Sequence, residues 1–394
     1  MNTDFVILIL GLIAGISILA KRFAISYTPL LVIVGLILGL WKVFPQFRLS
    51  PELLLTVLLP PLIFEGALRI SYENLKKVYW GISFLAGPGV VISVLILGPL
   101  FHWLLSIPTP VAYLFAALIS TTDPVAVLHN LKSLKIDKKL TTLVEGESLL
   151  NDGTALAIFT AILLSMQTTH WSAWGTILSL FSTTLGGLAA GALLGILFNY
   201  LTKIHEDTEI RITLSTVLAY ASYIVAGYLH VSGILSVVAA GIVYGNLPPA
   251  YGHHDSDKAL WGFWSYAAFL ANSIVFLLIG TQIDSRDVLT YWQPILITYG
   301  LLLVVRLIIV YAAYWTSQRL DHRFERSWFW LTWWSGLRGA LPVALAIGLL
   351  YNVPQGRQIY FVTLGVAFVF LFVNGLSTNI WAKKLNLIET EETV

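Results

Sequence analysis

The sequence predicts an all-α polytopic membrane protein with thirteen transmembrane helices. Three observations carry this: the composition, a series of apolar segments of spanning length, and an uneven placement of Lys and Arg between them. Of 394 residues, 57% are hydrophobic and 11% charged, with a mean hydropathy of +0.80. Soluble domains carry about 25% charged residues, so no soluble domain is visible. The formal charge of +2 forms no basic stripe, and no nucleic-acid partner is expected. The absence of cysteine excludes disulfides and thiolate metal sites. The start MNTDF lacks a cationic leader region, and no small-residue cleavage site follows, so the first apolar run reads as a retained span. Fourteen tryptophans suit rings placed at the two membrane interfaces.

A spanning helix needs about 20 mostly apolar residues at a rise of ~1.5 Å each. In chain order the segments are 4–20, 27–41, 51–68, 78–101, 110–128, 140–166, 172–202, 212–229, 231–247, 259–283, 290–318, 327–351 and 358–382. The second is short, and the seventh is long enough to run tilted. Connections after odd-numbered spans hold 17 Lys and Arg, and those after even-numbered spans hold 4. The positive-inside rule then places the odd side in the cytoplasm, with the N-terminus outside and the C-terminus inside. The two remaining cations, Arg306 and Arg338, fall within spans.

Two spans are interrupted. In the fifth, AYLFAALISTTDPVAVLHN, Pro124 removes a donor, clashes with the Ser120 carbonyl and pushes Asp123 out of helical geometry. In the twelfth, FWLTWWSGLRGALPVALAIG, Gly336 and Gly339 loosen the helix and Pro342 is expected to free the carbonyl of Arg338. Proline kinks are common in membrane helices, and Pro60-Pro61, Pro88 and Pro99 read that way. A charge at each break sets spans five and twelve apart. The two run in opposite directions and lie seven spans apart. The chain therefore divides into two inverted six-helix repeats with crossing broken helices, 1–166 (spans 1–6) and 212–382 (spans 8–13). Residues 172–202 form a linker helix and 383–394 a short cytoplasmic tail. Paired interrupted helices in matching positions point to a transporter site at the midplane.

The chemistry concentrates in EGESLLNDGTA, residues 145–155, inside span six. An ionisable side chain there costs several kcal/mol unless paired or hydrated, which makes it a functional-site candidate. At ~100° per residue Glu145, Ser148 and Asp152 share one helix face, and Glu147 and Asn151 share another. Asp152 lies nearest the middle of its span. It is assigned as the carboxylate that alternately holds a proton and a metal cation, with Ser148 a neutral oxygen beside it. Glu147 faces elsewhere and needs a cation. Arg338 is the best candidate because its planar fork suits a carboxylate, giving an expected clamp between spans six and twelve. The alternative is that Arg338 answers Asp123 or the helix ends. Asn151 is expected to bind broken backbone nearby. At the break of span five, Thr121, Thr122 and Asp123 sit beside free carbonyls, and hard cations want oxygen ligands. Asp123 either ligates directly, acts through water, or caps the half-helix that follows. Glu65 is either a site residue or a snorkelling group near its span end, with Arg69 at i+4 as neutraliser. Arg306 should be paired in the interior. Asn272 and Ser273 read as packing hydrogen bonds rather than ligands.

Four stretches together, FEGAL at 64–68, STTDPVAV at 120–127, EGESLLNDGTA at 145–155 and GLRGALPVA at 336–344, resemble the NhaP-type sodium/proton antiporters, relatives of the animal sodium/proton exchangers. The resemblance extends over the whole chain. It implies a non-enzymatic antiporter in the cell (inner) membrane, exchanging Na⁺ or Li⁺ for H⁺ in pH and sodium homeostasis, with no cofactor beyond the transported ions. It implies a Na⁺ site at Asp152, Ser148, Thr122 and Glu65 with Asp123 near it, a Glu147–Arg338 pair and a structural Asn151. It also implies a homodimer with a six-helix core, with membrane lipids at the dimer interface. The Asn151-Asp152 pair resembles the electroneutral branch, and a single titrating Asp gives one proton per sodium ion. Many relatives carry a cytoplasmic regulatory domain after span thirteen, and none is expected in this chain. The alternatives are a K⁺/H⁺ antiporter of the same fold and a cation channel using the same ligands. An intramembrane aspartyl protease would need a GxGD motif, which is absent. A symporter of organic anions should show a larger apolar cavity.

Overall fold

A computed structural model describes residues 3–22, 26–41, 50–123, 136–167, 173–203, 207–247, 254–282, 290–319, 324–385 and 387. The described chain is all-α, and each predicted apolar segment contains a helix. The first half comprises α1 (Thr3–Arg22), α2 (Tyr27–Leu40), α3 (Leu59–Arg69), α4 (Tyr72–Ala86), α5 (Pro88–Leu105), α6 (Thr109–Ile119) and α7 (Lys138–Gln167). Then follow α8 (Ala173–Thr202), α9 (Thr208–Tyr228), α10 (Gly233–Asn246), α11 (His254–Thr281) and α12 (Trp292–Arg319). The chain closes with α13 (Arg326–Trp334), α14 (Ala340–Leu349), α15 (Gly356–Val369) and α16 (Leu376–Lys384). Among the described residues, seven helical stretches are long and apolar enough to cross a membrane, and four shorter helices are apolar. The protein is a polytopic membrane protein.

Proline chemistry explains the local irregularities. Pro60 and Pro61 open α3, where a missing N–H is tolerated. A proline at 61 leaves the Val57 carbonyl without its usual helical donor, and the Tyr220 hydroxyl of α9 donates to it instead at 3.1 Å. The turn ahead of these prolines, Leu53–Leu58, widens to a π-helix, and a second π turn, Phe370–Gly375, joins α15 to α16. Asn374 in that second turn accepts from Tyr299 at 2.9 Å and donates to the Trp334 carbonyl at the end of α13 at 3.2 Å.

The two interruptions lie against each other. Helix α6 stops at Ile119, and residues 121–123 are irregular. Helix α13 stops at Trp334, and residues 336–339 are irregular before α14 begins. Asp123 N donates to the Leu337 carbonyl at 2.9 Å, joining one break to the other. The second break falls at Gly336, Arg338 and Gly339, where the glycines were expected to loosen the helix. Pro342 sits in the first turn of α14, where its lack of a donor costs nothing, and the open backbone is the glycine-flanked segment that precedes it. Pro124 and the half-helix it was expected to begin lie outside the described residues.

Helix α7 runs past both breaks, packing on α4, α6 and α10. Its polar stretch is therefore enclosed by protein rather than lipid: Glu145, Glu147, Ser148 and Asn151 are all buried. By contrast α8 leaves Leu178, Phe181, Leu185 and Leu193 well exposed. Such an apolar face suits hydrocarbon or another apolar surface.

Candidate ion-binding site

The residues of α7 sort onto two sides, as a helix with 3.6 residues per turn requires. One side carries Glu145, Ser148 and Asp152, and all three line a cavity of about 90 Å³. The rest of the wall comes from four places. Helix α3 contributes Glu65, the first break contributes Thr122 and Asp123, and α11 contributes Asn272. Gly339 at the second break and Pro342 in the first turn of α14 close it. Asp152, Ser148, Thr122, Asp123 and Glu65 thus surround one space, although they come from three separate segments. That volume matches a small ion with some water.

The oxygens are held in place by short local bonds. Ser148 Oγ donates to the Thr122 carbonyl at the first break. Thr122 Oγ1 lies 3.4 Å from Ser148 Oγ and 3.3 Å from Glu147 Oε1. Asn151 Nδ2 donates to Thr122 Oγ1 at 3.1 Å and to Glu147 Oε1 at 3.2 Å. The bond from Asn151 therefore reaches a side chain at the break, not the broken backbone that was expected. Asp152 Oδ1 is buried and, among the described residues, has no hydrogen-bond partner.

The partner expected for Glu147 is corrected by the structure. Arg306, not Arg338, pairs with it. Arg306 Nη1 reaches Glu147 Oε1 at 2.9 Å and Nη2 reaches Oε2 at 3.0 Å, two parallel charge-assisted bonds. Nη2 also donates to the Thr332 carbonyl at 3.1 Å. The clamp thus joins α7 to α12 and only through a backbone contact to α13. Arg338 instead donates to the carbonyls of Ser120 and Thr121, at 2.9 and 2.6 Å. Those carbonyls end α6, and the negative end of a helix attracts a cation. Its guanidinium also lies 5.7 Å from the ring centre of Phe370.

Two glycines leave room for these contacts. A Cβ on Gly336 would come within 2.5 Å of Arg306 Nε, so the second break must lack a side chain where the arginine passes. A Cβ on Gly339 would overlap the Asp123 carboxylate, which lies against the start of α14. Asp123 thus faces the N-terminal end of α14, where a negative charge is favoured. Gly336→Ala is expected to destabilise the protein by about 1–3 kcal/mol, the usual range for overpacking, through displacement of Arg306. A melting curve in detergent matching that of the unsubstituted protein would contradict it.

Three residues escaped assignment from sequence. Asn272 was read as packing, yet it borders the cavity while donating to the Tyr27 hydroxyl at 3.1 Å. Its only sequence signal was a polar residue in an apolar run, which does not say which way it faces. Glu145 shares the Asp152 face and lines the same cavity, a placement that the helix periodicity already contained. Arg306 had no assignable partner. Among the described residues no group of three or more His, Asp or Glu is arranged to hold a metal ion.

Comparisons with known proteins accord with this arrangement. A family model described as sodium/hydrogen exchanger, transmembrane, matches residues 6–384. The chain is 35% identical over 395 residues to the Na⁺/H⁺ antiporter ApNhaP of Aphanothece halophytica, covering 98% of this chain and 75% of that protein. It is 32% identical to the Na⁺/H⁺ antiporter NhaH of Halobacillus aidingensis, covering 97% of each. Its fold is similar to that of the sodium proton antiporter MjNhaP1 of Methanocaldococcus jannaschii at pH 8, with a TM-score of 0.79 at 21% identity over 97% of this chain and 98% of that one. The chain belongs to the transmembrane sodium/hydrogen exchanger family, whose members are transporters and not enzymes.

Proposed function

We propose that this protein exchanges Na⁺ for H⁺ across the cell membrane in pH and sodium homeostasis, through competition of the two ions for Asp152. The observation that carries the proposal is the state of this carboxylate. Asp152 borders a small cavity into whose largely apolar wall Ser148, Thr122, Asp123 and Glu65 bring oxygens, its Oδ1 has no described partner, and both nearby arginines are engaged elsewhere. A mid-bilayer acid without a fixed counter-charge must take a proton or a cation to be stable. It has room for one at a time. Protonation releases the metal ion and the metal ion displaces the proton. If the empty, charged site cannot cross the barrier, each reorientation carries one ion or the other.

Ser148, Thr122 and Glu65 supply the further oxygens, with Asp123 beside them, while Glu147, Arg306, Arg338 and Asn151 hold the scaffold. Thirteen spans in two inverted repeats, 1–166 and 212–382, joined by the helix at 172–202 and followed by the tail 383–394, place the two breaks at the midplane. The hydrogen bonds between the breaks support that arrangement. The alternating step is rocking of one bundle against the other. The N-terminus lies outside and the C-terminus in the cytoplasm, by the distribution of Lys and Arg. The protein works as a homodimer with lipid at the interface, and the exposed apolar face of α8 supports an apolar neighbour there.

With one titrating carboxylate the exchange is one proton per sodium ion and electroneutral. Reconstituted vesicles carrying an entrapped pH dye test this. Added Na⁺ should dequench the dye at a rate that does not change when a potassium diffusion potential is imposed, and a rate that follows the potential would overturn the 1:1 count. Competition makes a second prediction: the apparent Na⁺ affinity is weaker at acidic than at alkaline pH. Equal affinities on both sides of neutrality would contradict a shared site.

A further inference from the structure

Two charged residues at or near the cavity, Glu145 and Arg69, have no role in that scheme. Arg69, in the last turn of α3, forms an ion pair with the cavity-lining Glu65 one turn earlier. Two more contacts hold it from α11: Nη2 donates to Ser265 Oγ at 2.6 Å, and Cζ lies 5.6 Å from the Trp261 ring centre. Ser265 is two helical turns from Asn272 on the same face of α11, and Asn272 borders the cavity. The guanidinium therefore stands beside the ion site, at its edge. Its side chain is 34% exposed and that of Glu65 17%, so water reaches both groups and the guanidinium the more.

We propose that Arg69 is a tethered competitor for the transported cation. It occupies Glu65 while no metal ion is bound, and it stays on Ser265 and Trp261 when a cation takes Glu65. This rests on the antiport mechanism above. A guanidinium keeps its charge at every working pH, so unlike a proton it competes with constant strength. It cannot leave, so it adds a fixed cost to cation binding instead of being transported. Arg306 and Arg338 cannot act this way, since each is buried and already bound. On the proposed topology Arg69 faces the cytoplasm, so the cost falls on cation binding from that side. The effect is to weaken capture of cytoplasmic Na⁺ and to keep Glu65 neutralised between ions.

The test is Arg69→Gln in vesicles, with Arg69→Lys beside it, reading KM and kcat for Na⁺ from the cytoplasmic face. Loss of the competitor should lower the KM about two- to fivefold, the scale of a partly exposed ion pair. The lysine variant, which keeps the charge, should stay near the unsubstituted KM. A second readout needs no turnover: Na⁺ should raise the melting temperature of Arg69→Gln at lower concentration than that of the unsubstituted protein. In a Glu65→Gln background the Arg69 substitution should no longer change this Na⁺ dependence. A lowered kcat and melting temperature with an unmoved KM would overturn the proposal and leave Arg69 a structural tie. So would a tightened Na⁺ response that persists without Glu65. Absence of exchange in the unsubstituted protein would overturn the antiport mechanism and this proposal with it, whereas exchange with an unmoved Arg69→Gln KM overturns this proposal alone.

Discussion

Asp152→Asn is expected to reduce Na⁺-driven proton movement to the level of protein-free vesicles while leaving a folded protein. The amide has nearly the same volume and can bond to the same neighbours, so packing around α7 should survive. What disappears is the negative charge on which both ions depend. Stability should hold or rise slightly, because an ionised carboxylate in this position lacks a described partner for Oδ1 and carries a desolvation cost that the amide does not. A melting curve in detergent and the dye assay on one preparation check both halves. Full exchange by the asparagine variant would remove Asp152 from the mechanism. Loss of exchange together with aggregation would instead make Asp152 a folding residue.

Arg306→Ala should produce the largest loss of stability. Both of its terminal nitrogens bond to Glu147, and the carboxylate is almost wholly enclosed, with 2% of its surface accessible. Removing one partner of a buried pair leaves an uncompensated charge and costs about 3–5 kcal/mol. The residual bonds to Glu147 from Asn151 and Thr122 are neutral and longer, and do not replace a bidentate arginine. Adding Glu147→Gln to Arg306→Ala should recover much of the loss, since the uncompensated charge is gone. The same addition to Arg338→Ala should recover nothing, because Arg338 serves the Ser120 and Thr121 carbonyls, whose exposure costs about 1–3 kcal/mol each. Rescue of Arg338→Ala by Glu147→Gln, and not of Arg306→Ala, would reverse the pairing. Melting midpoints in one detergent suffice, since only differences between variants are compared.

The exchange of partners between the two arginines has a simple physical origin. Each is a lone cation within an apolar segment, and each therefore demands a buried partner. The candidates were a carboxylate on α7 and the unpaired carbonyls where α6 ends. Nothing in the spacing of residues along the chain separates these possibilities. The two arginines lie 32 positions apart, Arg306 on α12 and Arg338 in the break between α13 and α14. Gly336 decides the outcome. By lacking a side chain it lets Arg306 pass from α12 to Glu147. Arg338 then lies where α6 ends, and its charge meets the carbonyls there.

Local sequence determined what depends on local physics. The run of apolar segments defined the helices, because burying an unpaired backbone in hydrocarbon is prohibitive and a helix satisfies its own polar groups. Helical periodicity separated the Asp152 face of α7 from the Glu147 face, and the structure keeps them apart. Proline and glycine marked the neighbourhood of each break: the second lies at 336–339, between Gly336 and Gly339, and Pro342 falls in the first turn of the helix that follows. Tertiary structure alone brought α3, α11 and the two breaks around one cavity. It alone turned Asn272 toward that cavity, and it chose between Arg306 and Arg338. Those outcomes depend on distances between residues far apart in the chain, and a charge selects its partner by proximity in space and by the room left for it.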